Sequence, residues 1–189
     1  MKFVLVRHEQ GAVHMADGYA RATGKPAAVL VTSGPGAGNT VTGLMTAQMD
    51  SVPMIVVCGQ QVTWMLGKDP FQEADIFGIT IPVVKHNYLV KETNDLVRVA
   101  KEAYHIATTG RPGPVLIDVP KDVSSGNFTG DMDPEFDLPG YDPSESLNIN
   151  PTSIEEAVAL IAAAKRPVIL AGQGTMIARA DKELMELAE

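Results

Sequence analysis

Met54-Ile55-Val56-Val57-Cys58-Gly59 is apolar up to its closing glycine, with no alternation of large and polar side chains. A strand with one wet face alternates; a strand covered on both faces does not, because odd and even side chains meet equally apolar surroundings. Residues 3–7, 27–32 and 114–119 have the same Val/Ile/Leu-rich character. Between these runs lie helical patterns at residues 10–23, 38–50, 72–78 and 94–109. In the last, Leu96, Ala100, Ala103 and Ala107 form one stripe, Thr93 is placed to cap the start, and Gly110 followed by Pro112 ends it. Strand and helix in turn predict an α/β fold: an open, mostly parallel sheet with helices on both faces and right-handed crossovers.

The sequence divides into three stretches. Residues 1–122 carry the strand–helix alternation. Residues 123–151 hold prolines at 134, 139, 143 and 151, many acidic residues and no Lys or Arg, which reads as an acidic, Pro-rich, solvated linker. In residues 152–189, Ser153-Ile154-Glu155-Glu156 has the form of a capping box opening a helix to about residue 165. A strand over 168–171, a Gly-Gln-Gly turn and a final helix follow, the first βα unit of a second α/β domain.

Composition excludes several classes of function. The 189 residues are 45% hydrophobic and 20% charged, enough to bury a core. Fifteen basic residues against 23 acidic ones leave a net charge of -8 and no basic stripe to follow a phosphate backbone, so nucleic acid is not an expected partner. No apolar run has the length of a membrane span, and Met1-Lys2-Phe3 leads directly into a strand-like run, which points to a cytoplasmic protein with no membrane partner. The single cysteine, Cys58, reads as a small buried side chain.

Chemistry is expected where parallel strands end, because ligands of open α/β sheets sit beyond the strand carboxyl ends. Two features fall there. In Leu5-Val6-Arg7-His8-Glu9-Gln10-Gly11 a carboxylate stands where an apolar run gives way to a helix, and Ser33-Gly34-Pro35-Gly36-Ala37-Gly38-Asn39-Thr40 is a glycine-rich turn after a second run. The turn matches neither the dinucleotide fingerprint nor the lysine-bearing phosphate loop, and Pro35 removes one amide donor. A tight turn that lets backbones pass closely is the plain alternative. His8, Glu9 and His14 lack the four-residue histidine spacing of a zinc helix, so no metal site is expected. No nucleophile elbow or serine or cysteine triad can be assembled.

Several ordered motifs carry a resemblance. Residues 7–12 (RHEQGA), 15–21 (MADGYAR), TSGPGAGNT, DPFQEAD, VKH and TGRPGPVLIDVPKDV resemble the pyrimidine-binding domain of thiamine-diphosphate enzymes, most closely that of the catalytic large subunits of acetolactate synthase; RPVILAGQG resembles the opening of their central domain. The resemblance implies a thiamine-diphosphate-dependent carboligase of branched-chain amino-acid biosynthesis. It would condense two pyruvate, or pyruvate and 2-oxobutyrate, with loss of carbon dioxide. Another thiamine-diphosphate decarboxylase, oxidase or sulfoacetaldehyde acetyltransferase, and a non-catalytic α/β interaction module, stand as alternatives.

The resemblance also implies roles residue by residue. Glu9 matches the glutamate that hydrogen-bonds the cofactor's aminopyrimidine and helps shuttle its proton. Burial is expected to outweigh the helix amino end and keep it a neutral acid. Gly34, Pro35 and Gly36 would shape backbone around the pyrimidine, and Gln72 would reach the cofactor region. Phe71 and Lys85 would line the substrate channel, while Arg111 and Ser51 would contact FAD in a structural role. The match breaks at Gln61, Val62, Trp64, Lys68 and Pro70, where valine, proline, serine, threonine and alanine are expected, and at Gly38, where threonine is usual.

Members of the family begin with a strand and helix ahead of the Phe3 run and continue into a third domain that holds Mg2+ and the diphosphate. On that basis the chain is expected to be a fragment, inactive alone, with an unpaired sheet edge or exposed apolar face. A second copy of the subunit would complete the active site in a homodimer or higher assembly. The implied substrates are small-molecule 2-oxo acids, and a small regulatory subunit is left open.

Overall fold

A computed structural model describes residues 3–138 and 149–189. The chain divides into two units, Met1–Pro143 and Ser144–Glu189. In the first, helix α1 (Glu9–Thr23) is followed by strand β1 (Ala27–Val31), a one-turn helix α2 (Pro35–Gly38), helix α3 (Val41–Met49) and strand β2 (Met54–Gln60). Helix α4 (Ile76–Thr80), strand β3 (His86–Leu89), helix α5 (Leu96–Thr108), strand β4 (Pro114–Pro120) and the short α6 (Lys121–Ser124) complete it. The four strands form one sheet in the order β1-β2-β4-β3, parallel at every pairing. This is the expected α/β fold.

Two apolar layers flank the sheet. Val13, Ala16 and Ala20 of α1 and Leu44 and Ala47 of α3 pack with Val29, Val31, Met54, Val56 and Leu116 on one side. Val99, Ala103, Ile106 and Ala107 of α5 pack with Val115, Ile117 and Val119 on the other. Each Val, Leu, Ile or Met side chain among these withdrawn from water contributes about 1.5–3 kcal/mol, and each alanine less. Strand β4, buried at all seven positions, is the covered strand that non-alternating sequence predicts.

Helix ends follow local chemistry. The ring of His8 caps α1, its Nδ1 accepting from the Gln10 N–H at 3.1 Å. Gly24, at φ +68°, closes the helix with its N–H on the Ala20 carbonyl. Left-handed backbone suits glycine because no Cβ meets the carbonyl there.

Several expectations are corrected. Residues 3–7 form no strand: Phe3, Val4 and Leu5 are 78%, 64% and 99% exposed, and among the described residues no strand pairs with them. An apolar run becomes a strand only where a neighbour takes its N–H and C=O groups. Accordingly β1 lies at an end of the sheet, and its Leu30 is 74% exposed. The expected helix over 38–50 begins at Val41, after the separate turn of α2, and the one over 72–78 begins at Ile76, where Asp75 caps it by accepting from the Gly78 N–H at 2.9 Å; Gln72 is left-handed at φ +59°. Thr93 does not cap α5; its hydroxyl donates to the Val123 carbonyl at 2.9 Å, and Asp95 holds the cap position. The buried face of α5 centres on Val99, Ala103, Ile106 and Ala107, leaving Ala100 exposed.

In the second unit, helix α7 (Pro151–Ala163) starts before the expected capping box. Asn150 caps it by accepting from the Thr152 N–H at 3.1 Å, with Pro151 at the first helical position. Residues 168–171 form no strand, again with no pairing partner among the described residues; α8 (Gln173–Ile177) and α9 (Asp181–Ala188) follow. The linker prolines 139 and 143 lie outside the described residues.

Candidate functional site

The carboxyl ends of β1 and β2, with the start of α1, bring one group of side chains together. Gly34, at φ +58°, turns the chain after β1. A Cβ built there would lie 2.5 Å from the Gln72 carbonyl oxygen, so the glycine is required by both its backbone angle and the close passage of residue 72. Pro35 then sets the first position of α2. A Cβ on Gly36 would stand 2.6 Å from Thr32 Cγ2 and 3.3 Å from Glu9 Oε1, which places the Glu9 carboxylate directly beside glycine backbone. Glu9, Gly34, Pro35, Gly36 and Gln72, scattered in sequence, therefore meet.

Asn39 completes this group and was not singled out from sequence. Its Nδ2 donates to Glu9 Oε2 at 3.0 Å. That bond and Glu9's own backbone N–H hold the carboxyl below the usual carboxylate range, against a smaller opposing effect of burial and with minor help from His8. The expected neutral acid is thus corrected. Glu9 is half-buried, and a donated hydrogen bond at the start of α1 favours its anion. The signal in the sequence was an amide residue closing the glycine turn, but its partner lies 30 positions away.

Phe71 belongs to the same end of the sheet. Its side chain is 82% exposed, and its carbonyl accepts from Gln61 Nε2 at 2.6 Å. Behind the loop, Gln60 Nε2 donates to Asp118 Oδ2 at 3.0 Å. Asp118 is 1% exposed and its Oδ1 has no partner; burial pushes its carboxyl up to about 7, Asp75 adding to the rise and the Gln60 bond opposing it. Cys58, next to Asp118 in the β2–β4 register, is raised to about 12, chiefly by burial and then by the Asp118 charge.

The remaining expected residues sit at the opposite, amino ends of the strands. Arg111, just before β4, donates from Nε to Ser51 Oγ at 2.6 Å and from Nη2 to the Met49 carbonyl at 3.1 Å. Ser51 is itself left-handed at φ +58°. Lys85, just before β3, points its ammonium at the end of α5, donating to the carbonyls of Ile106 and of Thr109, the latter at 2.6 Å. Cations suit a helix carboxyl end, and burial lowers the Lys85 pKa. Among the described residues no three His, Cys, Asp or Glu side chains converge as metal ligands, and no helix is long and apolar enough to cross a membrane.

The arrangement can accept a hydrogen bond from an N–H donor placed beside glycine backbone. An ionised carboxylate provides the acceptor, and glycines at 34 and 36 leave backbone where side chains would intrude. Residues 1–79 match the family model described as "Thiamine pyrophosphate enzyme, N-terminal TPP binding domain", and residues 154–189 match that of the central domain. The chain is 51% identical, over its whole length, to an acetolactate synthase of Mycobacterium bovis, and covers 30% of that protein. It is 53% identical to an acetolactate synthase of Arthrospira platensis, covering 33% of it. It is 49% identical over 98% of its length to the acetolactate synthase isozyme 3 large subunit of Escherichia coli, covering 32% of that protein. The chain thus spans about a third of the length of these relatives. With two family models matched in order along one chain, it belongs to the thiamine pyrophosphate enzymes.

Proposed function

We propose that this chain is the pyrimidine-binding part of a longer acetolactate synthase catalytic subunit, with Glu9 as the residue that exchanges a proton with the cofactor ring. The observation that carries the reading is the Glu9 carboxylate, bonded to Asn39 through Oε2 and standing beside Gly36 through Oε1. Thiamine diphosphate, when bound, would supply a carbon acid whose conjugate carbanion is the nucleophile toward the carbonyl of a 2-oxo acid. The protein residues bind and orient. Glu9 accepts the ring N–H and takes or returns its proton, a role worth about 10²–10⁴-fold in rate for a positioned acid–base group. Asn39 would hold the Glu9 carboxylate in place for the ring, and Gly34 and Gly36 would leave room for it beside the backbone.

Pyruvate, alone or with 2-oxobutyrate, is the proposed substrate. Phe71 would border its approach from the carboxyl end of the sheet. Lys85 belongs to the channel in the same proposal, although it lies at the strand amino ends. The Arg111–Ser51 pair at those ends would meet FAD, and Mg2+ would be held by sequence outside this chain. A second copy of the subunit would close the site over the cofactor.

The test is an assay of the full-length subunit with pyruvate and 2-oxobutyrate, with and without thiamine diphosphate. Cofactor-dependent formation of acetolactate supports the reading. Oxidation or simple decarboxylation of pyruvate without carbon–carbon bond formation would replace it with another activity. The 189-residue chain by itself should form no acetolactate above background.

A further inference from the structure

Gln60 and Gln61, at the carboxyl end of β2, send two side-chain amides into one loop. Gln60 Nε2 donates to the Ala74 carbonyl at 3.0 Å and to Asp118 Oδ2 at 3.0 Å, while its Oε1 accepts from the Gln61 N–H at 2.9 Å. Both amide hydrogens and the amide oxygen are therefore committed. Gln61 Nε2 donates to the Phe71 carbonyl at 2.6 Å. The two anchored carbonyls, of Phe71 and Ala74, bracket residues 72 and 73.

The bracketed residue is the one pressed against the glycine turn. Gln72 holds φ +59°, and its carbonyl oxygen lies 2.5 Å from where a Cβ on Gly34 would stand. A non-glycine residue stays left-handed only where its surroundings over-determine it. Gln60 is 7% and Asp118 1% exposed, so neither can trade these bonds for water, and an unmade bond there leaves a buried polar group unsatisfied. Asp118 fixes the Gln60 amide by taking its second hydrogen; Gln60 then fixes the loop.

We propose that Gln60 and Gln61 are positioning residues that clamp residues 71–74 from both sides and so hold Gln72 against Gly34 at the cofactor-binding end. The inference rests on the proposed thiamine diphosphate function. It gives the two glutamines a distinctive signature: neither reaches the reacting atoms, so their loss weakens cofactor binding and leaves turnover at saturating cofactor intact.

The experiment uses the full-length enzyme with Q60M and Q61M, which keep side-chain length and remove the amides. Thiamine diphosphate affinity is read by direct titration and by half-saturation of activity. Q60M should bind about tenfold or more weakly and Q61M about threefold more weakly. With cofactor saturating, kcat should stay within about twofold of wild type in both. Wild-type affinity in both variants, or a fall in kcat with affinity unchanged, would overturn the clamp. If Q60M fails to fold, the half-exposed Q61M carries the test alone, and unchanged affinity there overturns it. Failure of the wild-type enzyme to bind the cofactor would instead overturn the functional reading on which the clamp rests.

Discussion

Asn39 Nδ2 stands 3.0 Å from Glu9 Oε2, so the turn after the first strand and the start of the first helix are tied by one amide–carboxylate bond. The bond sets the charge of the acid as well as its direction. Glu9 is held as an anion by a donor from across the site, where burial alone would have favoured the neutral form.

Replacing that donor should therefore move the acid. In Asn39→Ala the Glu9 pKa rises toward the ordinary carboxylate value, because the largest cause of its depression is gone. A carbon-13 NMR titration of the Glu9 carboxyl reads the change. A titration curve superimposable on wild type would show that Asn39 does not set the charge.

Gly34→Ala is expected to be costly. Its Cβ would fall 2.5 Å from the Gln72 carbonyl in a left-handed backbone, a combination that destabilises by about 1–3 kcal/mol. Urea denaturation measures this. Gly38→Ala is the control: a Cβ there meets nothing within 4 Å, and the midpoint should hardly move.

Asp118 should make stability fall as pH rises. Its carboxyl is pushed up to about 7 when folded, against an ordinary 3.8, so between those values the folded chain holds a proton that the unfolded chain has released. Stability declines from about pH 4 to about pH 7 and levels above it, by about 4 kcal/mol. The groups facing it are the Gln60 amide, the Asp75 carboxylate and the Cys58 thiol. Asp118→Asn should flatten this part of the profile in denaturation curves at pH 5 and 7.5. An unaltered slope would assign the dependence elsewhere.

Cys58 should be inert to thiol reagents in the native protein. It is 0% exposed and its thiol is pushed up to about 12, so at pH 8 almost no thiolate exists. One thiol should appear with Ellman's reagent only after denaturant is added. Rapid labelling without denaturant would contradict the packing around β2.

Much of this was legible in the residues themselves. Val56 and Leu116 lie in runs with no polar alternation, and both β2 and β4 could be read from them: β4 is buried on both faces, while β2 is buried on one face and half-buried on the other, where Ile55 and Val57 pack against the α5 cluster. β3 could not. His86-Asn87-Tyr88-Leu89 looks polar, and Asn87 is buried only because its amide donates to Phe77 and Thr80, which sequence does not reveal. The reverse error befell residues 3–7, since composition shows that a run can be a strand but not whether a neighbour pairs with it.

At the site, Glu9 and the glycines were legible from residue type and position. Asn39 was not, because its role depends on a contact made by the fold. The expected neutrality of Glu9 failed for the same reason: burial can be inferred from surrounding apolar sequence, whereas a distant donor cannot.

The most direct test of the central claim is deuterium exchange at the reactive thiazolium carbon of thiamine diphosphate bound to the full-length enzyme, comparing wild type with Glu9→Gln by quenched-flow NMR. Exchange should slow by about 10²-fold or more, since an amide can hold the ring but cannot take or return its proton. Exchange at the wild-type rate would show that the Glu9 carboxylate is not the proton-exchanging group.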